Sequence, residues 1–256
     1  MIVFITGATA GFGAAIARRY VREGHEVIAA GRRRERLVAL QRELGAEKCH
    51  VVELDVRDRA SVESAFANLP AAFRDLDILV NNAGLALGRE PSQTASLDDW
   101  DTMIDTNVKG LMYCTRAAVG GMVERNRGHI VNIGSVAGMY NYPGGNVYGP
   151  TKAFVHHFSL NLRADLLGTA VRVTDVQPGM TSGTEFSKVR FRGDDQRAAK
   201  VYEGVPATLT PEDIAEAVHW VTSQPPHVNV NSIEMMPVSQ AFNLFNVHRK
   251  TPETKP

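Results

Sequence analysis

The chain has 256 residues, 28 of them basic and 28 acidic, and 44% are hydrophobic, an ordinary soluble composition for one large domain with its own core. A formal net charge of zero gives no electrostatic reason to expect nucleic acid or a membrane surface as partner, though it leaves self-association open. The cysteines Cys49 and Cys114 have no disulfide-scaffold or metal spacing, and no apolar run approaches the ~20 residues that span a bilayer, so a cytoplasmic protein without a signal peptide is expected.

In chain order, β-rich runs alternate with helix-length amphipathic stretches. Strands are predicted at Ile2–Thr6, Glu26–Ala30, His50–Val56, Ile78–Asn81, His129–Ile133, Val171–Val176 and Val230–Glu234. Helices are predicted near residues 12–23, 34–44, 59–68, 98–125, 147–167 and 211–222. Ile78–Asn81 and Val171–Val176 are largely apolar, which suits strands covered on both faces. The alternation predicts an α/β fold with a doubly wound parallel sheet of about seven strands, in a single domain over residues 1–256. Residues 179–209 carry the weakest pattern and read as an irregular lid over a site. The tail, residues 239–256, holds Phe242, Leu244 and Phe245 and is expected to dock, with its last residues frayed.

The first strand runs into Thr6-Gly7-Ala8-Thr9-Ala10-Gly11-Phe12-Gly13 and then a helix. Ligands bind at the carboxyl ends of such strands, and a helix N-terminus there offers free N–H groups to a pyrophosphate. The spacing is G-x-x-x-G-x-G, a weak signal alone, since a tight turn with no ligand can also carry three glycines. Folds that bind NAD place an acid at the end of the second strand for the ribose 2′-hydroxyl. Here Gly31 takes that place and Arg32-Arg33-Arg34 follow, which points to the 2′-phosphate of NADP; the plainer alternative is a solvated basic helix start.

Ser135 follows the fifth strand, and Tyr148 and Lys152 lie four residues apart on one helix face. A phenol is a poor base near neutrality, and an adjacent ammonium favours its phenolate. Ser135 can hydrogen-bond a reacting oxygen. A serine-hydrolase elbow is excluded because Ile133, not glycine, stands two residues before Ser135. No metal site is expected: His156 and His157 cannot share a helix face and read as ordinary helix residues.

With Thr6-Gly7-x-x-x-Gly11-x-Gly13, Asn81-Asn82-Ala83-Gly84, Asn107, Ser135, Tyr148-x-x-x-Lys152 and Pro178-Gly179, the chain resembles the short-chain dehydrogenase/reductase family over its whole length. The resemblance implies a Rossmann-type fold and an NADP cofactor. It makes Tyr148 the general acid/base, Lys152 its ribose-binding partner, Ser135 the group that steadies the carbonyl, and Asn107 a support for a water relay. The cofactor contacts it implies are Gly7, Thr9, Ala10, Gly11, Phe12, Gly13, Arg32, Arg33, Asp55, Val56, Asn82, Gly84, Tyr148, Lys152, Pro178, Gly179, Thr181 and Thr184. Residues 81–88, 144–148, 183–187 and 189–191 further resemble the NADP-dependent 3-hydroxy acid dehydrogenases, which implies a homotetramer acting on serine, L-allo-threonine or malonic semialdehyde. Pro150 departs from a helix-friendly residue there.

A hydroxy acid brings a carboxylate to the site, so a cation is expected beside Ser135 and Tyr148. Of Lys188, Arg190, Arg192 and Arg197, Arg190 is the choice for substrate binding because Val189 and Phe191 can anchor it for bidentate pairing; an exposed lid arginine is the alternative. Two other functions stay open: reduction of another carbonyl such as an acyl-carrier thioester, and a catalytically silent NADP-binding sensor.

Overall fold

A computed structural model of the chain describes residues 1–241. Seven strands form one sheet: β1 (Ile2–Thr6), β2 (Glu26–Gly31), β3 (Cys49–Glu53), β4 (Ile78–Asn81), β5 (Gly128–Ile133), β6 (Val171–Pro178) and β7 (Ser232–Met235). Every pairing is parallel and the order is β3-β2-β1-β4-β5-β6-β7. The chain reverses direction across the sheet between β1 and β4, which opens a crevice at the strands' carboxyl ends.

Alternate residues of β1 serve opposite faces, as a strand's two-residue period requires. Val3 and Ile5 pack with Ile16, Tyr20, Leu37, Ile214 and Val218, from α1 (Gly11–Arg22), α2 (Arg34–Leu44) and α9 (Pro211–Thr222). Phe4 packs with Val62, Cys114, Met122 and Ile130 on the other face, beneath α3 (Arg59–Ala67) and α5 (Leu111–Glu124). Helix α9 starts sharply because Thr210 and Asp213 form a reciprocal capping box with Pro211 at the first position.

The single helix expected over 98–125 is three pieces: α4 (Leu97–Ile104), a π-helical turn at Asp105–Gly110, and α5. Such insertions often sit at functional sites, and this one holds Asn107. Helix α6 (Tyr148–Asp165) begins at Tyr148, so Pro150 falls in the first turn, where a missing N–H breaks no helical bond. Residues 179–209 are less irregular than expected: α7 (Phe186–Arg190) and α8 (Asp195–Lys200) lie within them. Short polar segments like Asp194–Lys200 carry too few apolar residues for a periodic signal, and the Asp194 side-chain cap supplies the local start instead. The expected docking of Phe242, Leu244 and Phe245 lies outside the described residues.

Candidate active site

A cleft of about 710 Å³ opens over the switch point between β1 and β4, and it is lined by every predicted site residue except Gly13 and Asn107. Gly7 and Gly11 have φ of +68° and +52°, in the left-handed region that glycine alone enters without strain. A Cβ on Gly13 would lie 2.6 Å from Asn82 Nδ2, so this glycine lets α1 pack on the loop rather than touching a ligand. Asn82 Nδ2 donates to Thr6 O at 2.8 Å, pinning the glycine loop to the end of β4. Ala10 offers no side-chain cap to α1, which leaves first-turn N–H groups available to an anion.

At the end of β2, a Cβ on Gly31 would meet the Thr9 methyl at 2.7 Å, so an acid at this position would require the Thr9 side chain to move. The basic residues there divide their work. Arg33 donates to Thr9 Oγ1 at 2.8 Å through Nη2 and pairs with Glu185 at 2.7 Å through Nη1; Arg36 holds the other carboxylate oxygen at 2.9 Å. Glu185 is therefore held below the usual carboxylate range, chiefly by its hydrogen bond from Arg33. Arg32 is exposed in the cleft and hydrogen-bonds to none of the described residues. Asp55 also lines the cleft but is paired with Arg57 at 2.5 Å.

The catalytic candidates meet as spacing implied. Tyr148 and Lys152 share the first turns of α6, with Lys152 Nζ 5.9 Å from the phenol ring centroid. Lys152 Nζ donates to Ile133 O at 2.7 Å. Burial pulls the lysine down to about 8, and the charge of Asp175 opposes the fall. Burial pushes the Tyr148 phenol up; a hydrogen bond with Ser135 and the charge of Arg190 work against that rise, while Tyr142 adds to it. Ser135 Oγ accepts from Ala137 N at 3.1 Å, fixing it at the mouth of the turn after β5. Asn107 spends its side chain on structure: Oδ1 accepts from Leu85 N at 2.9 Å, and Nδ2 donates to Leu85 O at 2.8 Å and Thr151 Oγ1 at 3.1 Å. It ties the turn after β4 to α6 without itself lining the cleft.

Arg190 is buried against this group, its Cζ 5.8 Å from the Tyr148 ring and 5.6 Å from the Tyr142 ring. Its Nε donates to Gly88 O at 3.0 Å, and Nη2 donates to Tyr142 Oη at 3.0 Å and Gly144 O at 3.3 Å. Among the described residues only Nη1 has no hydrogen-bond partner, which leaves one nitrogen rather than the two that the expected bidentate pairing needs. Three other cations of residues 179–209 are in ion pairs: Lys188 with Asp195, Arg192 with Asp99 and Arg197 with Glu90.

The profile of the short chain dehydrogenases matches residues 1–195, bringing the glycine loop, Ser135, Tyr148 and Lys152 into one alignment. The chain belongs to the short-chain dehydrogenase/reductase family. Among relatives in this family, an NADP-dependent 3-hydroxy acid dehydrogenase from Salmonella typhi is 66% identical over 249 residues, covering 97% of this chain and 100% of its own. A serine 3-dehydrogenase from Rhizobium radiobacter is 51% identical, covering 97% and 98%. The closed form of a serine dehydrogenase complexed with NADP+ superposes with a TM-score of 0.96 at 62% identity, covering 98% of this chain and 100% of that one.

The sequence reading of this dehydrogenase site missed Tyr142, Arg89 and the role of Glu185. Tyr142 lies between Arg89 and Arg190, each with Cζ within 5.8 Å of its ring centroid, a contact between loops distant in sequence. It also missed His156, which is no ordinary helix residue: its Nδ1 lies 3.0 Å from Asp175 Oδ2. The i, i+4 spacing from Lys152 was the available signal; its partner on β6 was not visible.

Proposed function

We propose that the chain is an NADP-dependent oxidoreductase that interconverts a short 3-hydroxy acid, of the serine, L-allo-threonine or 3-hydroxypropionate type, and its 3-oxo acid. One observation carries the substrate reading: a buried guanidinium, Arg190, stands beside Tyr148 with one nitrogen unbonded among the described residues, while Lys188, Arg192 and Arg197 are paired elsewhere. The cofactor reading rests on the same chain. The uncapped start of α1, the glycine in place of an acid at Gly31, and Arg32, with no hydrogen-bond partner among the described residues, together fit a pyrophosphate and a 2′-phosphate.

Bound nicotinamide accepts the hydride in oxidation and returns it in reduction. The residues of this chain manage the proton and the charge. In oxidation Tyr148, as phenolate, takes the hydroxyl proton; in reduction the phenol gives it back. Burial disfavours the phenolate, so it needs donors and positive charge, which Ser135, Lys152 and Arg190 supply. Ser135 steadies the reacting oxygen, and Lys152, held at Ile133 O, would bind the ribose of the cofactor. Asn107 keeps α6 in register with the turn after β4. Arg190 Nη1 receives the carboxylate and sets its distance from Tyr148. The presence of Ser135, Tyr148 and Lys152 in one cleft argues against a silent sensor.

Residues 179–209 serve as the lid, and a cytoplasmic homotetramer is the expected assembly; light scattering of the purified protein checks the latter. No helix among the described residues is long and apolar enough to cross a membrane. The deciding assay compares NADP+ reduction with serine, L-allo-threonine, 3-hydroxypropionate and an uncharged alcohol of similar size. Arg190→Met is expected to raise KM for the acids roughly tenfold, the usual effect of losing a charge-assisted contact, and to spare the alcohol. Equal effects on both substrates place the carboxylate elsewhere.

A further inference from the structure

Lys152 and Asp175 are both buried, 7% and 1% exposed, beside the turn that carries Ser135. Asp175 hydrogen-bonds through Oδ2 alone, accepting from Gln177 Nε2 at 2.7 Å and lying 3.0 Å from His156 Nδ1. Its Oδ1 has no hydrogen-bond partner among the described residues. That oxygen lies against Gly134, where any Cβ would run into it. Gly134 donates its N–H to Val176 O at 2.7 Å and stands between Ile133, whose carbonyl accepts from Lys152 Nζ, and Ser135. The carboxylate and the ammonium thus meet the same three-residue turn from β6 and from α6. His156, one helical turn after Lys152, reaches across to fix the carboxylate.

We propose that Asp175 is a positioning residue for the proton transfer: its buried carboxylate, oriented by His156 and Gln177, is the counter-charge that keeps Lys152 an ammonium while its bulk shapes the Gly134–Ser135 turn. The proposal rests on the roles given above to Tyr148 and Lys152. An ammonium taken out of water loses its proton unless a negative charge is near. The charged and titratable groups around Lys152 are Asp175 from β6, Tyr148 and His156 from α6, and Arg190 from α7 across the Tyr148 ring. Asp175 is the anion among them that opposes the loss of the Lys152 proton. It does not act on the phenol directly: Ser135, Tyr142 and Arg190 do, and Lys152 Nζ stands 5.9 Å from the phenol ring centroid. Its influence on Tyr148 runs through the lysine. Burial also raises Asp175 itself, and Gln177, His156 and Lys152 restrain that rise, so the carboxylate and the ammonium support one another.

Asp175→Asn keeps the shape and removes the charge. The first readout needs neither cofactor nor substrate: competitive acetylation of Lys152 in the full chain from pH 6 to 10, followed by mass spectrometry. The labelling midpoint is expected to fall by about one pH unit, a tenfold change in the protonation equilibrium. The second readout is the pH profile of kcat/KM for oxidation, whose alkaline limb is expected to move down with it. At pH 6.5, where the lysine stays charged in both proteins, kcat is expected to agree within about threefold. An unchanged midpoint overturns the proposal, as does a loss of activity that is equal at every pH. Should the Asn variant not fold, Asp175→Ala, which leaves room for water, is held to the same midpoint shift. Failure of the hydroxy-acid assay would leave the labelling result standing, so the two readings fail separately.

Discussion

Tyr148 shows how one residue's environment sets its task. Burial alone makes its phenolate scarcer than that of a free phenol, and the groups that oppose this are Ser135 and the nearby cations Arg190 and Lys152. Tyr148→Phe removes the proton carrier and little surface. Turnover is expected to drop at least ~10²-fold, the usual scale for losing a general acid/base, with NADPH affinity by fluorescence titration nearly unchanged. The two arginines after β2 are predicted by their contacts to behave differently. Arg32 has no hydrogen-bond partner among the described residues, whereas Arg33 spans Thr9 and Glu185. Arg32→Ala is expected to weaken NADPH by about 1.5–3 kcal/mol while leaving NADH unchanged. Arg33→Ala is expected to weaken both cofactors, because it also unfastens the lid. Equal titration curves for the two variants with NADPH and NADH would contradict this division.

At the scale of elements, α7 closes over the cleft by two kinds of contact. Arg190 at its end exchanges hydrogen bonds with Gly88, and Glu185 before its start reaches Arg33 and Arg36 on the far side of the cleft. The Glu185 ion pairs are about one-third to one-half exposed, so their share in global stability is small. Their effect is local. Glu185→Gln is expected to leave the thermal midpoint within ~1 °C, in keeping with a sub-kcal/mol surface pair. It is also expected to speed limited proteolysis within residues 179–209 several-fold and to raise KM more than it lowers kcat. Unchanged proteolysis would show that Arg190 holds the lid alone. The π-helical turn at Asp105–Gly110 is a second element-level device. It turns Asn107 toward Leu85 and Thr151, which a continuous α-helix over 98–125 was not expected to require.

Over the whole molecule, two apolar layers sandwich the sheet, and one imidazole is trapped between them. His129 on β5 is 1% exposed, lies 2.8 Å from Thr174 Oγ1, and is pushed down to about 3 by burial, with the charge of Arg172 adding to the shift. The unfolded chain takes up this proton near pH 6.5 and the folded chain only near 3. Stability is therefore lost as pH falls through that window, where the unfolded state binds more protons. Urea unfolding of His129→Gln is expected to show a flatter dependence between pH 6.5 and about 4 than the parent protein. Parallel slopes would mean that other groups dominate acid unfolding.

How much of this was legible in the sequence follows from the range of the interactions involved. Strand and helix periodicity, the glycine loop, and the Tyr148–Lys152 spacing are local, so the chain alone determined the doubly wound fold, the cleft's position and the gathering of Ser135, Tyr148 and Lys152 in it. The Gly31 position was legible as a missing acid, and its cause, the Thr9 methyl packed on it, was not. The irregular reading of residues 179–209 missed α7 and α8 because short polar helices are held by caps and tertiary contacts rather than by a long apolar stripe. What only the tertiary structure decided is how charges are shared: Arg33 with the lid, Arg190 with Gly88 and Tyr142, and Asp175 with His156 from another element. Burial and distance between residues far apart in sequence set the ionisation and free hydrogen-bonding capacity of such groups, and neither quantity exists until the sheet and its helices have closed around them.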